Sequence, residues 1–156
     1  MDKNAVNTAN KQLDINPILR PSSVAIIGMS TKPGSASQVV LNNLLAGGYT
    51  GTVHLVGRSG GSFEGRTILS SVSELPEDVG LAILMVPSSA VLETITDCVL
   101  RKVRGAVCFA SGFAEMGEEG RNQQQEIASV ARAGNLTLLG PNTVGYFNYV
   151  DAFYVM

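Results

Sequence analysis

Five short runs of β-branched and aliphatic residues recur along the chain: Val24–Ile27, Val53–Val56, Leu81–Val86, Ala106–Phe109 and Leu136–Leu139. None alternates cleanly between polar and apolar positions. Strands with such continuous apolar character are covered on both faces, as they are inside a parallel sheet. Between the runs, apolar residues return at helical spacing. Val39, Val40, Leu44 and Leu45 give one face, Val91, Leu92, Ile95 and Val99 a second, and Ile127, Ala128, Val130 and Ala131 a third. Glu118 and Glu119 suit the start of that third helix, and Gly47-Gly48 and Gly134 stand where the first and third end. The stretch from Thr67 to Val79 has room for a short helix at most. Strands alternating with helices predict an α/β fold: a doubly wound parallel sheet in three layers, with right-handed crossovers.

Composition narrows the picture. The 156 residues suit one domain, and 45% apolar against 15% charged residues is a globular mixture. Most of the 17 glycines sit at the ends of apolar runs, so they read as turn makers. Residues 1–16 are polar and read as a loose lead-in, and residues 17–147 read as the domain. Tyr146, Phe147, Tyr149, Phe153 and Tyr154 then crowd the last eleven positions. Residues 148–156 therefore read as the start of a following segment in a truncated chain. The net charge of -2 carries no basic stripe, which argues against nucleic acid as a partner. No apolar run approaches a membrane helix and no signal core is present, so a cytoplasmic protein without a membrane partner is expected. Cys98 and Cys108 have no metal-ligand spacing and read as reduced, structural thiols. No metal site is expected.

In an open parallel sheet, ligands bind beyond the carboxyl ends of the strands. Those ends are Gly28–Gly34, Gly57–Gly61, Val86–Ser89, Ala110–Glu115 and Gly140–Asn142, and all five contain small or polar residues. In the first, Gly28 lets a ligand approach the backbone, and the helix opening near Ser35 offers unpaired N–H groups to a phosphate. Ser30 and Thr31 add hydroxyls and Lys32 adds a charge. The plain alternative is an ordinary strand-to-helix turn. The loop is neither a P-loop nor the dinucleotide fingerprint, because GxGxxG would need glycine at Ser30 and Pro33. The second strand ends Val56-Gly57-Arg58, without the carboxylate that holds an unmodified ribose. An arginine there suits a phosphorylated ribose, which leaves coenzyme A and NADP both open; a solvated surface arginine is the simpler reading.

Leu19–Ser30, Pro33-Gly34, Asn43-Leu44, Gly48–Val53, Glu74–Pro76, Leu81–Pro87, Gly105–Val107, Ser111–Glu115 and Leu139–Asn142, in that order, resemble the N-terminal domain of the NDP-forming acyl-CoA synthetases, relatives of the succinyl-CoA synthetase α subunit. The resemblance implies a Rossmann-like CoA-binding domain of an acid–CoA ligase. Such an enzyme joins an acyl group to CoA with NTP turnover, and this piece alone would be inactive. It further implies that Gly28, Ser30, Thr31, Lys32, Pro33 and Gly34 face the CoA phosphates. Gly57, Arg58 and Ser59 would lie by the adenosine end. Val86 and Pro87 would flank the nucleotide and the pantetheine arm. Ser111, Gly112, Pro141 and Asn142 would line the path to the thiol. The chain departs from the family at Val56–Gly61, where many members carry a Val-Asn-Pro-like stretch, and at Ala36 or Ser37, where many carry glycine.

The family's phosphohistidine domain and its ATP-grasp lobe, which handles ATP or ADP with magnesium, would be partners outside this chain. A homo-oligomer stays open. No catalytic residue is assigned: His54, the one histidine, falls inside the second strand and reads as a packed or edge-facing residue. Glu115 reads as a loop or capping carboxylate, and Met85 and Met116 as packing residues. The alternative function is a regulatory module that senses CoA or a nucleotide, such as the N-terminal part of a protein acetyltransferase.

Overall fold

The computed structural model describes residues 14–156. Residues 1–13, most of the segment read as a lead-in, lie outside the described residues. The elements are α1 (Asn16–Leu19), β1 (Ser23–Ile27), α2 (Ala36–Ala46), β2 (Thr52–Val56), β3 (Gly61–Phe63), β4 (Arg66–Leu69), β5 (Leu81–Leu84), α3 (Ser88–Leu100), β6 (Gly105–Cys108), α4 (Glu118–Ala133), β7 (Thr137–Leu139), β8 (Tyr146–Asn148) and β9 (Phe153–Val155). Seven strands form one sheet in the order β3-β4-β2-β1-β5-β6-β7, and β8 pairs with β9 in a separate hairpin. The five apolar runs supply β1, β2, β5, β6 and β7, which are mutually parallel. β4 joins them parallel to β2, and β3 is antiparallel to β4 at the edge. The architecture is the Rossmann-like α/β fold that the pattern predicts.

The strand order changes direction at β1, whose neighbours β2 and β5 lead to opposite sides of the sheet. That is the switch point at which such sheets open a crevice. One face of the central strands, with Ala25, Ile27, Ala82 and Leu84, packs on Val91, Ile95 and Cys98 of α3 and on Ile127 and Ala131 of α4. The other, with Val24, Ile26, Leu81 and Ile83, packs on Val40, Leu41 and Leu44 of α2 and on Phe153 and Val155 of β9. Residues 148–156, read from the sequence as the opening of a further segment, thus place two buried side chains in the second core.

Some local expectations are corrected and others hold. The buried stripe of α2 runs through Ser37, Val40, Leu41 and Leu44, while Val39 and Leu45 face outward. The two outward residues are apolar but off the helical spacing that the other four obey. Gly134 is the C-cap of α4, as expected, though with φ -85° and set against the Val99 side chain; the left-handed residue follows at Asn135, with φ 54°. Met116 is 74% exposed and packs against no core, unlike Met85. The Thr67–Val79 stretch, expected to hold a short helix at most, does hold only the end of β4 and one 3-10 turn, Val72–Glu74, begun by the Ser71 hydroxyl accepting from Ser73 N–H.

Candidate functional site: the cleft over the strand tips

The loop after β1 is pressed against its neighbours. Gly28 has φ +98°, and a Cβ there would stand 2.4 Å from the Met85 carbonyl oxygen. The N–H groups of Gly28 and Met29 both donate to the Val56 carbonyl, at 2.9 and 2.8 Å, which fastens the loop to the tip of β2. A Cβ on Gly57 would lie 2.5 Å from the Met29 carbonyl oxygen, so glycine is needed at Gly57 to seat the loop on β2, as it is at Gly28 to seat it against Met85.

Beyond Met29 the loop is shaped by its own side chains and by α2. Ser30 N–H donates to Ser37 Oγ at 3.1 Å, and Lys32 N–H to Ser30 Oγ at 3.2 Å. The Ser30 carbonyl accepts from Gln38 Nε2 at 2.9 Å and from Ser35 Oγ at 3.2 Å. Gly34 N–H donates to Gln38 Oε1 at 3.2 Å. Ser37 and Gln38 are buried, whereas Thr31, Lys32, Pro33 and Gly34 are exposed.

This loop forms one wall of a cleft of about 560 Å³. Of the residues singled out from sequence, Gly28, Ser30, Thr31, Gly57, Arg58, Ser59, Val86 and Pro87 line it. Val86 and Pro87 also border a shallower depression of about 310 Å³, shared with Ser111. Pro87 precedes α3 in an extended conformation and so forms a ridge between the two hollows. Lys32, Pro33, Gly34, Gly112, Pro141 and Asn142 line neither. Gly112 N–H donates to Glu115 Oε1 at 2.6 Å, and Asn142 N–H to the Ala110 carbonyl at 2.8 Å, which draws the segment after β7 to the loop after β6.

Sequence reading missed part of the cleft. Ser70 and Ser71 enter from the end of β4, a strand too short and polar to be legible. Glu93, Thr94 and Asp97 enter from α3 at helical spacing with Ala90. That face is visible in the sequence only once the apolar stripe of α3 has been rotated to Val91, Ile95 and Cys98. The lining of the cleft therefore includes the carboxylates of Glu93 and Asp97 as well as the cation of Arg58.

Backbone contacts and burial set the state of several titratable groups in the sheet and its loops. Backbone N–H groups, Gly112's first, hold the Glu115 carboxyl below its ordinary range, as a loop-capping carboxylate requires. His54 lies opposite Ala25 within the ladder, and partial burial lowers its pKa. Burial pushes the Cys98 thiol up to about 12, with the Asp97 charge adding to it, and raises Cys108 too. Among the described residues no group of three His, Cys, Asp or Glu side chains could hold a metal ion, and no helix is long and apolar enough to cross a membrane.

A crevice at the switch point, walled by a glycine-tight loop and an arginine, defines a doubly wound α/β domain suited to a phosphate-bearing ligand. The chain belongs to the CoA-binding domain family, whose model matches residues 22–148. It is 35% identical over 137 residues to the α subunit of acetate–CoA ligase [ADP-forming] I of Pyrococcus furiosus, covering 85% of this chain and 30% of that protein. It is 30% identical over 133 residues to the 4-hydroxybutyrate–CoA ligase [ADP-forming] of Nitrosopumilus maritimus, covering 85% and 19%. Among solved structures, the apo dinucleotide-forming acetyl-coenzyme A synthetase 1 of Ca. Korarchaeum cryptofilum superposes with a TM-score of 0.84 at 31% identity, over 91% of this chain and 31% of that one. The chain thus spans less than a third of the length of each.

Proposed function

We propose that this chain is the CoA-binding part of an NDP-forming acid–CoA ligase, and that it holds CoA across the strand tips. The observation that carries the proposal is the cleft at the switch point, lined by both the Gly28 loop and Arg58, within a domain of the CoA-binding family. The diphosphate lies against the loop of Gly28, Ser30 and Thr31, with Lys32, Pro33 and Gly34 at its outer rim. The adenosine end enters between Gly57, Arg58 and Ser59, with the 3′-phosphate on the guanidinium, which donates in a geometry suited to phosphate. The pantetheine arm crosses the Val86-Pro87 ridge towards Ser111, Gly112, Pro141 and Asn142.

The chemistry assigned to this chain is binding and orientation. The thiol is presented to an acyl phosphate made elsewhere, by a phosphohistidine domain and an ATP-grasp lobe using ATP or ADP with magnesium. Both are partners of this chain in the proposed enzyme, which works in the cytoplasm. The relatives are named as ligases, which favours ligation over a CoA-sensing regulatory module.

Titration calorimetry of the chain with CoA, dephospho-CoA and NADP tests the assignment. The expected order is CoA tightest, dephospho-CoA weaker by about tenfold through loss of one charge-assisted contact, and NADP weakest. No CoA binding, or equal binding of all three, would overturn it.

A further inference from the structure

We propose that Gln38 is the positioning residue of the loop that receives the diphosphate. The proposal rests on the assignment of that loop to CoA. A glutamine three residues into a helix ordinarily points to solvent. Gln38 instead is 8% exposed, one of four buried polar residues among those described. Its planar carboxamide reaches both ends of the exposed segment: Nε2 donates to the Ser30 carbonyl at 2.9 Å and Oε1 accepts from Gly34 N–H at 3.2 Å. The two contacts have opposite polarity, so only one orientation of the amide satisfies both. Ser37 Oγ adds a third anchor by accepting from Ser30 N–H.

The N–H groups of Gly28 and Met29 are committed to Val56, those of Ser30, Lys32, Gly34 and Ser35 to partners within the loop or on α2, and Pro33 has none. Among the described residues no hydrogen bond engages the N–H of Thr31, Ala36 or Ser37. The loop therefore keeps its shape by its own bonds and leaves a fixed remainder of amides for an anion. Thr31 to Gly34 are exposed and have no apolar packing to hold them. Without the carboxamide, ordering them is left to the ligand, and that entropy is subtracted from affinity.

Gln38→Met keeps the length and burial of the side chain and removes both bonds. Calorimetry and NMR titration of the wild-type chain and this variant use CoA and adenosine 3′-monophosphate, which lacks the diphosphate. The expected result is CoA binding weakened by about tenfold, with adenosine 3′-monophosphate changed by less than about twofold. In the free variant, amide exchange at Gly34 should quicken. Equal CoA affinity in variant and wild type, or an equal loss for both ligands, overturns the role of Gln38 while leaving the CoA assignment standing. A wild-type chain that binds no CoA overturns the assignment and this inference together. Should Gln38→Met fail to fold, Ser37→Ala removes a single oxygen of the same clamp. It is expected to weaken CoA by about threefold, and a folded Ser37→Ala protein with unchanged affinity overturns the clamp.

Discussion

The two ends of the sheet are held in different ways. Where the strands begin, side chains reach across the whole chain. Tyr49 Oη donates to the Pro21 carbonyl at 2.9 Å, Thr137 Oγ1 to Asp14 at 2.8 Å, Asn148 Nδ2 to Leu19 at 3.0 Å, and Tyr146 Oη to Ile18. Arg20 pairs with Asp151 at 2.7 Å. At the strand tips the side-chain bonds run between near neighbours: Ser30 with Ser37, Gly34 with Gln38, Ser70 with Glu74 and Gly112 with Glu115. Apart from the Tyr49–Pro21 bond, the contacts at the starting end join segments over a hundred residues apart, so they belong to the global fold. The tips are shaped by local sequence, so their residues can change ligand contacts without loosening the domain. In the proposed role, stability and binding thus fall at opposite ends of the sheet.

The position that most tests this division is Gly28, the tip residue wedged into the frame itself. Gly28→Ala forces a Cβ against the Met85 carbonyl at positive φ, and is expected to cost about 3 kcal/mol in denaturant unfolding together with CoA binding. An unchanged unfolding midpoint would break the claim that the loop is locked to β5. Arg58→Ala lies on the pure binding side. CoA affinity should fall by about tenfold, the preference over dephospho-CoA should vanish, and the unfolding midpoint should hold. Tyr146→Phe lies on the pure stability side, with a loss of about 1 kcal/mol and calorimetric CoA affinity intact. A large change in affinity there would show that the two ends communicate.

The smallest effect is expected midway, at His54. Burial lowers its pKa from 6.5, so the unfolded chain takes up the proton first as pH falls. The stability conferred by the neutral ring is thus complete above 6.5 and is lost as pH falls through the lower folded value. Melting temperatures of wild type and His54→Gln across this window should converge on acidification. A wild-type curve no steeper than the variant's would contradict the burial.

The legible parts of the fold were those where one physical demand acts alone. Strands covered on both faces must be apolar throughout, and the five that satisfy this stood out. β3 and β4 lie at an edge and combine Gly61, Ser62, Arg66 and Thr67 with a turn through Glu64 and Gly65, both at positive φ, so no apolar run betrays them. The β8–β9 hairpin was visible as an aromatic crowd but not as a pair, because Phe147, Tyr149 and Tyr154 pack on one another at its surface while Phe153 turns inward against Tyr49. In the cleft, glycine at strand ends was a sufficient signal for the loops after β1 and β2. Gln38 gave none, since an inward-turned amide and a solvated one are spelled alike. The acidic side of α3 was hidden for the same reason.

A carrier of a thiol cofactor runs a chemical risk of its own: exchange with oxidised cargo, which would leave the cofactor tethered to the protein as a mixed disulfide. Such exchange requires an accessible thiolate. Cys98, sealed in the α3 core, stays protonated up to about 12, and Cys108, at the end of β6, is fully buried, which raises its pKa too. Neither sulfur can reach a passenger at the strand tips. In the proposed role, then, the only reactive sulfur at the mouth of the domain is the one being delivered.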